Sequence, residues 1–230
     1  MIPPENAAGI EALLETAELF AVDKPHGVVV HRGFSGETTS LLDELRRAGR
    51  VLHPVHRLDR ATSGVLLFAK SSDAAREIQR AFQEGRVQKR YLALVRGAPP
   101  PSFDVDYAIP RDEGGPRVDA QTSFTTLERF EIPDSPLRER RYSLVEARPL
   151  TGRFHQIRRH LKHLGHPVAG DTTYGRSEHN ALLRERVGLT RLFLHAAALT
   201  IDLPGERVTI EAPLPDSLQV PLAVLRVASC

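Results

Sequence analysis

At 230 residues the chain is long enough to bury a substantial core, and its 41% hydrophobic and 26% charged residues are ordinary for a globular protein. No apolar run approaches the roughly 20 residues of a membrane helix, and the opening MIPPENAAG has no signal-peptide core. The single cysteine, Cys230, excludes an intramolecular disulfide and points to a reducing, cytoplasmic location, while the net charge of +2 predicts no partner by itself.

In chain order, residues 1–17 carry little periodicity and read as a loose arm. Leu19 to Val22 read as a short strand ending in the turn Asp23-Lys24-Pro25-His26-Gly27, with Val28 to Val30 extended beyond it. A polar loop over 32–40 ends in Ser40, a good N-cap for the helix LLDELRRAG. The stretch HRLDRATSG (56–64) then feeds a buried strand over 64–70. Ser72 or Asp73 caps a second helix reaching about Gly85, with Ala74, Ile78 and Phe82 at helical spacing. Val87 to Gly97 alternates as a strand, and APPPS and RDEGGPR read as exposed connections. Residues 118–130 and 141–148 form a strand pair. A helix follows over Phe154 to Leu164, stopped by Gly165, then a helix at about 178–187, strands at 191–202 and 206–212, and a helical segment at 215–226. These elements predict an α+β fold with a mixed, mainly antiparallel central sheet flanked by helices and loops.

Two places concentrate chemistry. Asp59 stands between Arg57 and Arg60, either as a reactive carboxylate or as a structural bridge between the two arginines. On the helix 154–164, Phe154, Ile157, Leu161 and Leu164 form an inward apolar stripe. His155, Arg158, Arg159 and Lys162 recur on another face at i, i+3, i+4 and i+7, a row of cations suited to successive phosphates. Arg153, directly after Gly152, could hold a carboxylate by a two-pronged contact. His53, His56 and Asp59 also leave open a metal-dependent nuclease, although the established zinc spacings are absent. Ser63 lacks the G-x-S-x-G context of a hydrolase nucleophile. No glycine-rich phosphate or dinucleotide loop is present, so a reaction here runs without an evident cofactor.

Four stretches read together, HRLDRATSG, KRY (89–91), TGRFHQIR (151–158) and LHA (194–196), resemble in order and spacing the signatures of the RluA-type pseudouridine synthases. DKPHG (23–27) is similar to that family's Asn-Lys-Pro-x-Gly turn, with Asp23 in place of asparagine. The resemblance covers about 18–212 and implies a catalytic domain over 18–230 that isomerises uridine in RNA, with neither cofactor nor metal. It implies Asp59 as the catalytic carboxylate, Arg153 as its arginine partner and Tyr91 as the active-site tyrosine. Leu194 is then the apolar residue against the base, and Arg57 the arginine inserted where the target nucleotide is flipped out of its helix. His56, His155, Arg158, Arg159 and Lys162 are the further expected RNA contacts. An RNA-binding protein that has lost catalysis is the remaining alternative, which intact Asp59, Tyr91 and Arg153 argue against.

The roughly 18 residues before the first strand are too few for the S4-like RNA-binding module of many relatives, so recognition is expected from the catalytic domain, acting as a monomer. HRG (31–33), RRHLKHLGHPVAGDTTYG (158–175) and EHNALLRERVGLTRLFLHA (178–196) resemble most the branch that modifies the T-stem uridine of transfer RNA, conventionally position 65. A ribosomal RNA or anticodon-stem uridine is the alternative target.

Overall fold

A computed structural model of the chain describes residues 10–31, 39–111 and 115–229. The elements are, in order, β1 (Ala12–Glu15), β2 (Leu19–Lys24), α1 (Leu41–Arg47), β3 (His53–Pro54), β4 (Ser63–Ala69), α2 (Ser72–Gln83), β5 (Val87–Arg96) and β6 (Ser102–Asp106). There follow β7 (Ile109–Pro110), β8 (Arg117–Val118), β9 (Gln121–Glu131), β10 (Arg141–Pro149), α3 (Gln156–His163), α4 (Ser177–Val187), β11 (Leu194–Leu203), β12 (Glu206–Glu211) and α5 (Asp216–Ala228). The fold is α+β: mainly antiparallel strands flanked, among the described residues, by five helices. The chain divides into two compact units, the first made of residues 1–89 and 196–213, the second of 90–195 and 214–230.

In the first unit the strand order is β1-β2-β4-β11, with β12 on β11 and β3 on β4. β4 (SGVLLFA) is buried along its whole length between β2 and β11, which is why its sequence is a continuous apolar run and does not alternate. α2 lays Ala74, Ile78 and Ala81 onto a core shared with Leu19, Leu67, Leu199 and Ile201. α1 starts with a capping box: the Ser40 hydroxyl accepts from the Asp43 amide, and the Asp43 carboxylate accepts from the Ser40 amide. The cap of α2 is Ser71, one residue before the expected Ser72.

Part of the expected loose arm is ordered. Residues 12–15 form β1, which pairs antiparallel with β2 (Ala12 opposite Val22, Glu15 opposite Phe20). Four residues are too short for a periodic signal, yet they cover an edge that β2 would otherwise present to solvent. The expected polar loop falls mostly at 32–38, outside the described residues.

In the second unit the antiparallel strand order is β5-β10-β9-β6, so β5 pairs with β10 and lies away from β6, the strand that follows it in sequence. Tyr91 is opposite Ala147, and the register of β10 on β9 shifts between Leu144 and Val145. α4 and α5 bring Leu182, Leu183, Leu222 and Leu225 into a core with Leu94, Tyr142, Leu144 and Phe193. Of the two expected connections, APPPS ends where β6 begins, at Ser102, and RDEGGPR ends where β8 begins, at Arg117. β6, which lies along β9, and β7, which pairs with β8, are strands not expected from the sequence. The proline-rich APPPS hides the start of β6, whose backbone partners lie some twenty residues away.

Candidate active site

The HRLDRATSG stretch links β3 to β4 in the first unit. Asp59 opens a turn in which the Thr62 amide donates to the Asp59 carbonyl (3.1 Å), and the Asp59 side chain is half-buried. The turn is tied to the 23–27 segment on both strands of backbone. The Gly27 amide donates to the Arg60 carbonyl (2.7 Å), and Arg60 Nε donates to the Gly27 carbonyl (3.0 Å). Beneath them the ammonium of Lys24, a fully buried side chain, donates to the carbonyls of Pro25 and Val28 (2.8 Å each) and Arg60 (3.4 Å). A buried cation is tolerable only with its protons so placed. Of the two arginines beside Asp59, Arg60 is therefore a loop tie, and Arg57 is exposed.

His56 also supports the loop. Its Nε2 accepts the Leu67 amide (2.9 Å), and its ring lies 5.5 Å from that of Phe82. Burial pulls its pKa down to about 3, with the positive charge of Lys89 adding to the effect. His56, expected as an RNA contact, is thus a neutral imidazole whose Nε2 is engaged in the fold. Lys89, half-buried at the start of the KRY stretch, is itself lowered to about 8 by burial. Gly64, last residue of the motif, has φ +110°, and a Cβ there would sit 2.2 Å from the Ala196 carbonyl oxygen. The TSG glycine is where β4 passes the backbone of β11.

In the second unit Tyr91 is half-buried on β5, and Leu194 begins β11, 3% exposed. Arg153 is exposed, its Nε donating to the Asp119 carbonyl (3.2 Å) and its amide to Gln156 Oε1 (3.0 Å). α3 begins two residues later than expected because His155 has φ +55°, a left-handed conformation that an α-helix of L-residues cannot propagate. Its ring stacks on Phe154 (3.8 Å), and its Nδ1 lies 3.1 Å from the Tyr174 hydroxyl. Phe154 thus falls outside the helix, and Leu164 is 41% exposed, leaving Ile157 and Leu161 as the buried stripe.

The expected row of phosphate-facing cations is taken apart by the fold. Arg158 is 5% exposed and holds Asp171 by two bonds, Nε to Oδ2 at 2.7 Å and Nη2 to Oδ1 at 2.9 Å. Asp171 Oδ1 also accepts the Thr173 and Tyr174 amides (2.9 Å each). Burial pushes this carboxyl up, but the Arg158 bonds and charge and the two amides outweigh it and hold the pKa below the ordinary value. Arg159 is half-buried, donating to the Tyr174 hydroxyl (2.9 Å) and the Pro110 carbonyl (2.6 Å). Of the helix cations named from the sequence, Lys162 is the one left exposed. His160, fully buried, donates from Nε2 to the Tyr107 carbonyl (3.1 Å), and its Nδ1 lies 3.0 Å from the Thr122 hydroxyl.

Sequence reasoning missed Lys24, Gln156, Asp171 and Tyr174 as residues that hold these segments. A buried Asp in AGDTTYG and the Gln of TGRFHQIR were the available signals. Among the described residues, no group of three or more His, Cys, Asp or Glu is arranged to hold a metal ion, so His53, His56 and Asp59 do not assemble one.

A tied-down turn that presents a half-buried carboxylate can supply a base or a nucleophile. Residues 18–163, a span through both units, match the family model described as RNA pseudouridylate synthase. The chain belongs to this family and is an RNA pseudouridine synthase, an isomerase whose partner is RNA. It is similar to the tRNA pseudouridine synthase C of Haemophilus ducreyi, 40% identical over 92% of this chain and 93% of the relative. The Pasteurella multocida protein of the same name is 41% identical over 87% and 90%. Among solved structures, human RNA pseudouridylate synthase domain containing 4 superposes with a TM-score of 0.78 at 26% identity, covering 97% of this chain and 96% of that one. The human domain containing 1 protein gives 0.74 at 30%, covering 92% and 87%.

Proposed function

We propose that this chain isomerises the T-stem uridine of transfer RNA in the cytoplasm, with Asp59 as the catalytic carboxylate. The observation that carries the transfer RNA reading is the 40% identity, over nearly the whole of both chains, to relatives named for that substrate. In the reaction the N1–C1′ bond breaks, the base turns, C5 bonds to C1′, C5 loses a proton and N1 gains one, so atoms and electrons balance within one nucleotide. Asp59 supplies the carboxylate required at the sugar. Its loop is held by Lys24, Gly27, Arg60 and His56 before any RNA arrives, which spares the chemical step the cost of ordering it. Tyr91 and Arg153 are assigned to the same reaction, Leu194 to packing against the uracil, and Arg57 and Lys162 to RNA. Base extrusion itself costs a few kcal/mol, drawn from phosphate contacts.

The test offers purified protein an unmodified transfer RNA transcript and, separately, protein-free large-subunit ribosomal RNA, with pseudouridine mapped at single-nucleotide resolution. Conversion of the T-stem uridine is expected, and it should disappear in Asp59→Asn while RNA binding persists. Modification of ribosomal RNA alone would reject the transfer RNA reading. Asp59→Asn turnover within about tenfold of wild type would reject the carboxylate assignment.

A further inference from the structure

We propose that Gln156 is the positioning residue for Arg153: its side-chain amide fixes the 151–155 turn so that the guanidinium starts from one place. The inference rests on the reading that Arg153 acts in the chemical step. Gln156 is 4% exposed, so RNA does not reach its amide, and its influence on the reaction passes through what it holds. It holds four groups. Oε1 accepts the Thr151 hydroxyl (2.7 Å) and the Arg153 amide (3.0 Å), and Nε2 donates to the Gln121 carbonyl (2.8 Å) and Thr122 Oγ1 (2.9 Å). That is the whole capacity of a carboxamide, two lone pairs and two protons.

The orientation of the amide is also determined. His160 donates to the Tyr107 carbonyl through Nε2, so its neutral ring can only accept at Nδ1, and the Thr122 hydroxyl spends its proton there. Burial lowers the His160 pKa, which keeps the ring neutral. Thr122 Oγ1 can then only accept from Gln156. Turned over, the amide would set an oxygen against the Gln121 carbonyl and an NH₂ against the Arg153 amide. A chain of fixed donors thus runs from β7's neighbour Tyr107 through His160, Thr122 and Gln156 to the backbone of Arg153.

What this chain restrains is a strained segment. His155 sits at φ +55°, a region unfavourable for a non-glycine residue that persists only where surrounding bonds over-determine it. The backbone N–H of Gln156 closes the same turn onto the Arg153 carbonyl (3.1 Å). Arg153 itself is exposed, with one side-chain bond to the Asp119 carbonyl, so its location is set at the backbone more than along the side chain. Displacing a catalytic group by about 1 Å can cost on the order of a hundredfold in rate.

The experiment is a double-mutant cycle on single-turnover rate at saturating RNA, with RNA Kd and Tm measured for each protein. Gln156→Met, near in shape and without hydrogen bonds, is expected to lower the rate at least about tenfold and leave Kd within about twofold. In an Arg153→Ala background the same change should cost nothing more, because the residue it positions is gone. Thr122→Val, which withdraws one of the four partners, should give a smaller loss that vanishes in the same background, and it serves if Gln156→Met does not fold. Losses that add in the Arg153→Ala background, or that fall on Kd with the rate intact, overturn the proposal. If Arg153→Ala alone has a normal rate at saturating RNA, the Arg153 reading fails by itself, and any slow Gln156→Met then acts through another group.

Discussion

Replacing Arg158 with alanine should unfold the protein at a lower temperature and leave its phosphate count unchanged. The side chain lies in the second unit at 6% exposure against an Asp171 side chain with none, and the two are joined by bonds of 2.7 and 2.9 Å. Truncation strands a buried carboxylate that still accepts two backbone amides, and breaking such a pair costs about 3–5 kcal/mol. For a chain of this length each kcal/mol moves Tm by about 2–4 °C, so the expected loss is roughly 6–20 °C. The assay is calorimetric or near-ultraviolet thermal unfolding at pH 7, beside RNA affinity measured across salt concentrations. The pH arm has a definite sign. Asp171 is held below its ordinary pKa, so the pair's contribution is complete above the unfolded carboxylate value and is lost as pH falls through the lower folded value. In Arg158→Ala the same carboxyl keeps its burial and loses its guanidinium, which raises its pKa, so it takes up a proton at higher pH than the wild-type group. The Tm gap should therefore be widest at pH 7 and narrow as pH falls, starting above the ordinary carboxylate value. A Tm within 2 °C of wild type, together with a salt slope reduced by about one unit, would falsify the structural role and restore Arg158 as a phosphate contact.

His56 must be neutral to accept the Leu67 amide, and its folded pKa of about 3 lies below the ordinary 6.5. Its contribution is full above about pH 6.5 and declines as pH falls from there toward 3, so His56→Gln, which keeps an acceptor, should flatten the denaturant-midpoint profile between pH 7 and 4.5. An unchanged profile counts against the neutral, engaged imidazole. Gly64→Ala should abolish a folded first unit, since its Cβ would lie 2.2 Å from the Ala196 carbonyl oxygen at a φ of +110°. Soluble protein with a wild-type Tm would contradict that packing.

Elements with long or strongly patterned sequences were legible before the structure: β4 from its apolar run, α2 from Ala74 and Ile78, and β9 with β10 as a pair. β3, β7 and β8 are two residues each, too short for a periodic pattern: β3 exists because β4 offers it a partner, and β7 and β8 pair with each other. The residues of the site divide in the same way. Motif resemblance is what assigns Asp59, Tyr91 and Arg153 to the proposed reaction, whereas helical spacing misjudged the cations of α3. A helical wheel shows which side chains share a face and says nothing of what lies opposite. Arg158 meets Asp171 thirteen residues on, and Arg159 meets Pro110 and Tyr174. The left-handed turn at His155 was equally hidden, because any residue but proline can be forced there when its neighbours are bonded tightly enough.

The first unit is discontinuous in the chain, and that has a consequence during synthesis. Its residues up to 89 leave the ribosome well before residues 196–213, with the whole 90–195 segment made in between. At about 5–20 residues per second the interval lasts roughly 5–20 s. Through it β4, seven consecutive buried residues, has β2 on one edge and lacks β11 on the other. An apolar strand with an open edge is a template for pairing with another chain. During that stage the strand directly after the HRLDRATSG loop carries an open apolar edge that β11 covers only once residues 196–203 are made.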